Sequence, residues 1–343
     1  MPELRQNMAT KEWVIIASER AKRPHEFATP SGTGITEHPP WEAHCPFCPG
    51  NEETDLEVLR LPGEGPWRVR VVGNRYPALQ REGERFQQVE GVRRRISGVG
   101  YHEVVVESPL HNTCPALESA EQMALVLEAF QRRGQAIAQD SRVEHVIYFK
   151  NHGERAGASL VHPHTQLIGV PVVPLNVRTR MDEARRYHDN MGRCVHCQML
   201  EEELAHGERV VLESAHFVAF IPYAANSPFH TWVFPRRHCS SFLEATAAEV
   251  ADLGWLLQRV LAKIYTGLND PDYNYLIRSA PIHESGLEYL HWYVSIVPRV
   301  TRSAGFELGS GMFINTALPE ESAAFLRSVD GNVDARNIQH RPA

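Results

Sequence analysis

Two kinds of hydrophobic periodicity alternate along this chain. Short runs in which apolar and polar residues alternate, such as 67–79 and 101–107, predict half-buried β-strands. Two longer segments, 119–139 and 246–268, carry apolar residues at intervals of three and four and predict amphipathic helices. The chain is therefore predicted to mix antiparallel strands with long helices.

The order of these elements repeats. Each half has strands, then the long helix, then a further strand (145–151 or 273–279), a loop and a last strand (162–171 or 291–299). This order predicts an α+β fold made of a duplicated unit, with mainly antiparallel sheets and one long helix per half. We place the N-terminal unit at residues 1–175 and the C-terminal unit at residues 176–343.

Charge and hydropathy narrow the class of protein. The 343-residue chain has a formal net charge of −7, which argues against a general nucleic-acid or membrane-surface binder. It has neither an apolar run of about 18 residues nor the apolar core of a signal peptide. We therefore expect a cytoplasmic protein without membrane or nucleic-acid partners, in which local arginines and lysines would have to bind any anionic substrate.

Four of the six cysteines form two Cys-x-x-Cys pairs, CPFC and CVHC, and each pair is followed by two histidines at nearly the same separation in both halves. The spacing suits one tetrahedral Zn²⁺ per half, and four protein ligands leave no open position, so both ions would be structural. A redox dithiol is the alternative, although no thioredoxin-like pattern surrounds either pair. The predicted ligands are Cys45, Cys48, His111 and His162 in the first half, and Cys194, Cys197, His238 and His291 in the second.

A second histidine follows the predicted ligand His162 in the first half only. His164 comes after the stiff residue Pro163, whereas Tyr293 stands at the matching position of the second half. With Nδ1 held by a carbonyl, a neutral imidazole presents Nε2 as a nucleophile for phosphorus. A buried, hydrogen-bonded histidine is the structural alternative.

Donors for phosphoryl oxygens stand on both sides of His164. The Gln166 amide, the Ser159 hydroxyl and the backbone N–H groups around Gly157 and Ala158 are candidates. A tight turn would explain the glycine equally well.

Several segments together resemble a known family. HPHTQ preceded by GAS, with CPFCPGNE upstream, is similar to the galactose-1-phosphate uridylyltransferase family of the histidine-triad superfamily. EWVIIASERAKRP, GNRYPAL, FKNHG, HWYVSIVPR and GFELGSG extend the resemblance over nearly the whole chain.

The resemblance implies a ping-pong nucleotidyl transfer, in which His164 takes a nucleotidyl group from a nucleotide-sugar and passes it to a sugar 1-phosphate. It implies that Gln166 contacts the transferred phosphoryl group and that members are commonly homodimers. Further residues carried over from the family for substrate binding are Arg20, Arg23, Asn74, Asn151, Gly157, Ala158, Phe306, Glu307 and Gly311. From the residues alone, Arg20 and Arg23 would be solvated surface charges, and the Gly311 segment an ordinary turn.

One difference between this chain and the long-known members of the family concerns the choice of substrate. Ser295 and Val297 stand where long-known members carry metal-binding histidines, and the CVHC knuckle resembles instead the branch of ADP-glucose phosphorylases. Our first prediction is uridylyl transfer from UDP-glucose to galactose 1-phosphate, and the alternative is adenylyl transfer from ADP-glucose to phosphate. Rival hypotheses are a nucleotide hydrolase, a catalytically silent zinc-containing nucleotide-binding module and, least favoured, a nucleic-acid zinc finger.

Overall fold

The computed structural model describes residues 1–17, 23–29, 32–302 and 304–332. Three short strands and one hairpin lie outside the main sheet: β1 (Glu3–Gln6), β2 (Trp13–Ile16), β15 (Phe313–Asn315), and the hairpin of β5 (Gln87–Glu90) and β6 (Arg93–Ile96). The main sheet consists of β3 (Glu57–Leu61), β4 (Val69–Gly73), β7 (Tyr101–Val106), β8 (His145–His152), β9 (His164–Val170), β10 (Val210–Glu213), β11 (Phe217–Phe220), β12 (Thr231–Pro235), β13 (Tyr273–Arg278) and β14 (Tyr293–Pro298).

Both halves of the chain contribute to this one sheet. Within the described residues it has ten strands in the order β10-β11-β12-β14-β13-β8-β9-β7-β4-β3, and neighbouring strands are antiparallel. The halves meet where β8 pairs with β13, with Asn151 opposite Asn274. The strand order is mirrored about this pair, as expected of a duplicated unit.

The two predicted long helices pack against each other on one face of the sheet. They are α1 (Ala120–Ile137) and α4 (Ala247–Leu268). Ser119 caps α1 by accepting the backbone N–H of Gln122, and Thr246 caps α4 in a capping box with Glu249. The helices touch at Gly254, where a Cβ atom would lie 2.7 Å from the backbone nitrogen of Ala124. A side chain would therefore force the helices apart.

The remaining helices were not predicted. They are α2 (Leu175–Met191), α3 (Val195–His206), α5 (Gly305–Ser310) and α6 (Pro319–Ser328). In α2 the buried positions are only Met181 and Ala184, so the apolar periodicity is too sparse to predict the helix. The second Cys-x-x-Cys pair lies at the start of α3, with Cys194 as its N-cap residue.

The prediction of an α+β fold is confirmed. Side chains from both halves, including Phe130, Leu257 and Trp292, belong to one buried hydrophobic cluster. The boundary near residue 175 stays a prediction, since the sheet runs continuously through both halves. No helix in the described part of the chain is long and apolar enough to cross a membrane.

Candidate active site and metal-ligand clusters

The first Cys/His set converges at one end of β9. Cys45, Cys48, His111 and His162 are all buried, and their ligand atoms lie within 4.8 Å of one another. Cys48 Sγ is 3.5 Å from His111 Nδ1 and 3.6 Å from His162 Nδ1. A tetrahedral Zn²⁺ with bonds of about 2.3 Å to sulfur and about 2.0 Å to nitrogen requires a separation of roughly 3.6 Å. His162 Nε2 donates to the carbonyl of Ser108 at 2.8 Å, which directs Nδ1 toward the metal position.

The second set repeats this arrangement in the other half. Cys194, Cys197, His238 and His291 also have ligand atoms within 4.8 Å of one another. Cys197 Sγ lies 3.2 Å from His238 Nδ1 and 3.5 Å from His291 Nδ1. His238 Nε2 donates to the carbonyl of Leu287 at 3.1 Å. Both sets therefore use Nδ1, and both fit a closed Cys₂His₂ metal site.

The backbone between the two histidines of the first half is held on both sides. The carbonyl of Pro163 accepts the backbone N–H of Glu107 at 3.0 Å, and the carbonyl of His164 accepts a hydrogen bond from Lys150 Nζ at 3.2 Å. His164 Nδ1 is 2.8 Å from the carbonyl of His162, so Nδ1 carries the proton and donates it. Nε2 is left with its lone pair.

Burial keeps the His164 ring neutral. The side chain is 6% exposed, and desolvation, with the nearby Lys150 ammonium adding repulsion, lowers the pKa of His164 to about 4. A neutral imidazole at physiological pH is the form that can attack phosphorus.

His164 lies between two cavities. One, of about 470 Å³, is lined by Asn151, Ala158 and Ser159 along with His164. The other, of about 340 Å³ and more apolar, is lined by Asn74, Gln166 and again Ser159 and His164. The structure thus brings the predicted nucleophile together with several predicted phosphate contacts.

Sequence reasoning missed the residue that orients Gln166. The backbone N–H of Ala78 donates to His102 Nδ1 at 3.1 Å, so the proton of this imidazole is on Nε2. His102 Nε2 then donates to Gln166 Oε1 at 2.8 Å. Because the amide oxygen is occupied, the Gln166 NH₂ group is the free end that can donate to a ligand. In the sequence, His102 was marked only as a histidine in a predicted strand, and the structure shows that this strand, β7, pairs with β9.

Lys150 and Glu107 were also missed. Lys150 Nζ lies 2.5 Å from Glu107 Oε2, and both side chains are 2% exposed. Burial raises the pKa of Glu107, while the Lys150 charge opposes that shift. Because Lys150 also donates to the carbonyl of His164, this buried ion pair holds the backbone of His164 in place. Only the position of Lys150 in the quoted FKNHG motif pointed to it.

The structure places other predicted residues elsewhere. Arg20 lies outside the described residues, and Arg23 is exposed just before the 3₁₀ turn Pro24–Phe27 and lines neither cavity. Gly157 is exposed, and its carbonyl accepts from Asn151 Nδ2 at 3.3 Å. The predicted hexose contacts are on α5 or at its end, and they line neither His164 cavity; they are Phe306, Glu307 and Gly311.

Cys114, a buried cysteine outside the two Cys-x-x-Cys pairs, lies near His152 and Asp270. His152 Nε2 is 2.8 Å from Asp270 Oδ1, and Thr33 Oγ1 donates to the other carboxylate oxygen. Burial raises the pKa of the Cys114 thiol, so it stays protonated. This network ties the loop at residues 32–35 to the start of β13.

These features describe a duplicated α+β protein in which a buried histidine, with Nδ1 bonded to a backbone carbonyl, lies beside a Cys₂His₂ cluster. The sequence model of the galactose-1-phosphate uridyl transferase N-terminal domain matches residues 1–204, and that of the C-terminal domain matches residues 180–329. The chain belongs to this family, whose enzymes are nucleotidyltransferases.

Similar proteins carry two different names. An ADP-glucose phosphorylase of Arabidopsis thaliana is 40% identical over 336 residues, covering 96% of this chain and 93% of that protein. A galactose-1-phosphate uridylyltransferase of Thermotoga maritima is 31% identical over 340 residues, covering 96% and 99%. The crystal structure of an ADP-glucose phosphorylase from Arabidopsis thaliana with bound ADP-glucose superposes with a TM-score of 0.81 at 35% identity, covering 96% of this chain and 99% of that chain.

Proposed function

We propose that this protein transfers an adenylyl group from ADP-glucose to inorganic phosphate, with His164 as the covalent carrier. The observation that carries the proposal is the position of His164, which lines two cavities and has Nδ1 occupied by a backbone carbonyl. The choice of adenylyl over our first prediction, uridylyl, rests on the greater identity to the Arabidopsis thaliana phosphorylase.

In the first half-reaction, His164 Nε2 attacks the α-phosphorus of ADP-glucose. A phosphorus–nitrogen bond forms, the bond from the α-phosphorus to the bridging oxygen breaks, and glucose 1-phosphate leaves. The proton stays on Nδ1, where the carbonyl of His162 accepts it at 2.8 Å and stabilises the imidazolium character of the adduct. The Gln166 NH₂ group and the Ser159 hydroxyl are the donors for the α-phosphoryl oxygens.

In the second half-reaction, an oxygen of inorganic phosphate attacks the same phosphorus. The phosphorus–nitrogen bond breaks, ADP leaves, and His164 returns to its neutral form. The apolar cavity next to Asn74 and Gln166 would hold the nucleoside, and the cavity lined by Asn151 and Ala158 the departing or entering phosphate. His164 is the nucleophile of the first half-reaction and the leaving group of the second, which is what ping-pong transfer through a covalent intermediate requires.

Zn²⁺ is the ion that the two Cys₂His₂ sets would hold, and its role would be to cross-link the loops that flank β9 and β14. No step of the reaction passes through either ion. A cytoplasmic location remains a prediction from the sequence, and a homodimer remains what the family resemblance implies.

Uridylyl transfer from UDP-glucose to galactose 1-phosphate is the second candidate. It is supported by the 31% identity to the Thermotoga maritima uridylyltransferase over nearly the full length of both chains. The two candidates share His164 and differ in the contacts of the base and in the acceptor, and such differences amount to only a few kcal/mol.

One experiment tests the shared step and the choice of substrate. The protein is incubated with ADP-glucose or UDP-glucose labelled with ³²P at the α-phosphorus, without acceptor, and the adduct is mapped by peptide mass spectrometry. We expect an acid-labile, base-stable adduct on His164 from ADP-glucose, and its discharge to ADP by phosphate.

The control is His164→Asn, which should form no adduct and lose turnover by at least about 10³-fold while it stays folded. Label on another residue, or turnover retained in this variant, would contradict the covalent route. Preferential labelling by UDP-glucose with discharge by galactose 1-phosphate would support the second candidate instead.

A further inference from the structure

A small cavity of about 250 Å³ lies between helix α2 and strands β8, β13 and β14. His145 and Ile147 are two positions apart on β8, and Leu276 and Arg278 are two positions apart on β13, so the members of each pair point to the same face of the sheet. Helix α2 forms the opposite wall. Among the described residues, none that lines this cavity also lines either of the two cavities at His164. The cavity is therefore separate from the candidate active site.

Most of the cavity wall is apolar. Met181 of α2 and Leu290, in the segment before β14, belong to one small hydrophobic cluster, and Val177 packs against it. The apolar side chains that line the cavity include Ile147, Pro174, Val177, Met181, Leu276 and Leu290. The hydroxyl groups of a sugar would lose their hydrogen bonds to water against such a wall. The wall therefore favours a ligand with an apolar body.

Two arginines line the same cavity and have no anionic partner there. Arg180 Nη1 donates to the hydroxyl of Tyr293 at 2.8 Å, and this hydroxyl is a neutral acceptor. Arg278 lies in register with Tyr293 on the neighbouring strand. Its side chain forms no hydrogen bond or ion pair with the described residues, and its Nε is buried. Because buried cations are normally paired, an anion is missing from this wall.

The two guanidinium groups also repel each other. Burial, with repulsion from Arg180, lowers the pKa of Arg278, which stays a cation at neutral pH. Glu12 is the carboxylate whose charge acts on both arginines, but it accepts a hydrogen bond from Thr10 Oγ1 at 2.9 Å and does not line this cavity. Two neighbouring cations in a partly buried place are unfavourable without a counter-charge. The cavity thus has the electrostatics of an anion site.

A buried imidazole lies beside the arginines. His145 Nδ1 has no hydrogen-bond partner among the described residues. Burial, with repulsion from Arg278, lowers the pKa of His145 to about 4, so the ring is neutral at physiological pH. Buried polar nitrogens are rarely left unpaired, because each one loses its hydrogen bond to water. His145 Nδ1 and Arg278 Nε together indicate a ligand that offers hydrogen-bonding oxygens.

We propose that this cavity is a second ligand site, which binds a small organic carboxylate with an apolar body. A planar carboxylate matches the fork of N–H donors of a guanidinium group, and Arg180 and Arg278 supply the positive charge. The apolar body of the ligand packs between α2 and Leu276. Binding at this site requires neither His164 nor the proposed adenylyl transfer, and the ligand leaves chemically unchanged.

The test is calorimetric titration of the full-length protein with phenylacetate at neutral pH. Phenylacetamide replaces the carboxylate by a neutral amide of similar shape, and acetate keeps the carboxylate without the ring. We expect one phenylacetate to bind per chain, with an affinity at least about tenfold higher than that of either other compound, because both the charged and the apolar contacts contribute.

Two substitutions of Arg278 test the charged contact. Arg278→Met should weaken phenylacetate binding by about tenfold to hundredfold, the effect of losing a charged donor. Arg278→Lys keeps the charge without the fork of donors and should weaken binding less than Arg278→Met does. Arg180→Met takes the place of Arg278→Met if circular dichroism shows that the latter does not fold.

Control variants locate the bound compound. Arg180 and Arg278 also line a neighbouring cavity of about 520 Å³, which the exposed Arg302 lines as well. Arg302 does not line the cavity beside α2, so Arg302→Met should leave phenylacetate binding unchanged. His164→Asn should also leave it unchanged, which distinguishes failure of this proposal from failure of the proposed reaction.

Four results would overturn the proposal. They are the absence of phenylacetate binding to the parent protein, unchanged binding in a folded Met variant of Arg278 or Arg180, loss of binding in Arg302→Met, and equal affinities for phenylacetate and phenylacetamide. Loss of binding in Arg302→Met would place the compound in the neighbouring cavity, and equal affinities would show that the site recognises the apolar body alone.

Discussion

Lys150→Met tests whether the buried Lys150–Glu107 ion pair stabilises the backbone around His164. The Lys150 ammonium lies 2.5 Å from Glu107 Oε2, with both side chains 2% exposed, and it also donates to the carbonyl of His164 at 3.2 Å. Methionine keeps most of the length and volume of the lysine side chain but removes the charge and the donors. Glu107 Oε1 already lacks a hydrogen-bond partner among the described residues, so without Lys150 neither oxygen of the carboxylate would accept a hydrogen bond from them.

Two separate estimates of the fall in the free energy of unfolding agree. Breaking a buried ion pair by removing one partner typically costs about 3–5 kcal/mol. The variant can limit this cost by protonating Glu107, and protonating an ordinary glutamate at pH 7 costs roughly 4 kcal/mol, since its reference pKa is about 4.3 and one pH unit corresponds to about 1.4 kcal/mol. We therefore expect the free energy of unfolding to fall by about 4 kcal/mol at pH 7.

The sign of the pH dependence follows from the direction of the Glu107 shift. Burial already raises the pKa of this carboxyl, and the loss of Lys150 raises it further. The folded variant then holds a proton that the unfolded chain releases, so its stability falls as pH rises from the unfolded pKa to the folded pKa. The defect relative to the parent protein should therefore shrink by about 1.4 kcal/mol between pH 7 and pH 6, to roughly 2.4 kcal/mol.

Urea unfolding at pH 6, 7 and 8 measures these differences. Lys150→Met/Glu107→Gln should recover most of the loss, because no buried charge remains. Arg132→Met breaks an exposed pair with Glu128 and should cost less than about 0.5 kcal/mol. The reasoning is refuted if Lys150→Met is no more destabilising than Arg132→Met, or if its defect grows as the pH falls.

Two further variants test the metal sites and the helix crossing. Cys48→Ser should lower the zinc content, measured by plasma mass spectrometry, from two ions per chain to one and reduce Tm, whereas Cys239→Ser, buried outside both clusters, should keep both ions. One ion in the parent protein would contradict the second site. Gly254→Ala places a methyl group 2.7 Å from the backbone of Ala124 and should lower the free energy of unfolding, measured in urea, by about 1–3 kcal/mol. The control is Gly305→Ala, whose methyl group meets open space and should leave the stability nearly unchanged. Equal stabilities of the two variants would contradict the packing argument.

The parts of the candidate site that could be predicted are those whose residues lie close together in the sequence. The His162–Pro163–His164 segment places a ligand and a nucleophile two residues apart, and the Cys-x-x-Cys spacing brings two thiols to one point whatever the rest of the fold does. His102 and Lys150 escaped prediction because their roles depend on the strands that flank β9, and pairing partners are not encoded in the periodicity of a single strand.

The duplicated α+β unit, the two Cys₂His₂ sets and the histidine that distinguishes the halves could be predicted from the chain, because alternation, helical periodicity and ligand spacing are properties of short segments. The pairing of β8 with β13 could not be predicted in this way; it joins the halves into one sheet with cavities on its open face. Arg180 lies on α2 and Arg278 ends β13, and no local sequence pattern marks the two arginines as neighbours. Packing places both in one cavity, because which polar groups become buried together depends on long-range pairing that no local pattern specifies.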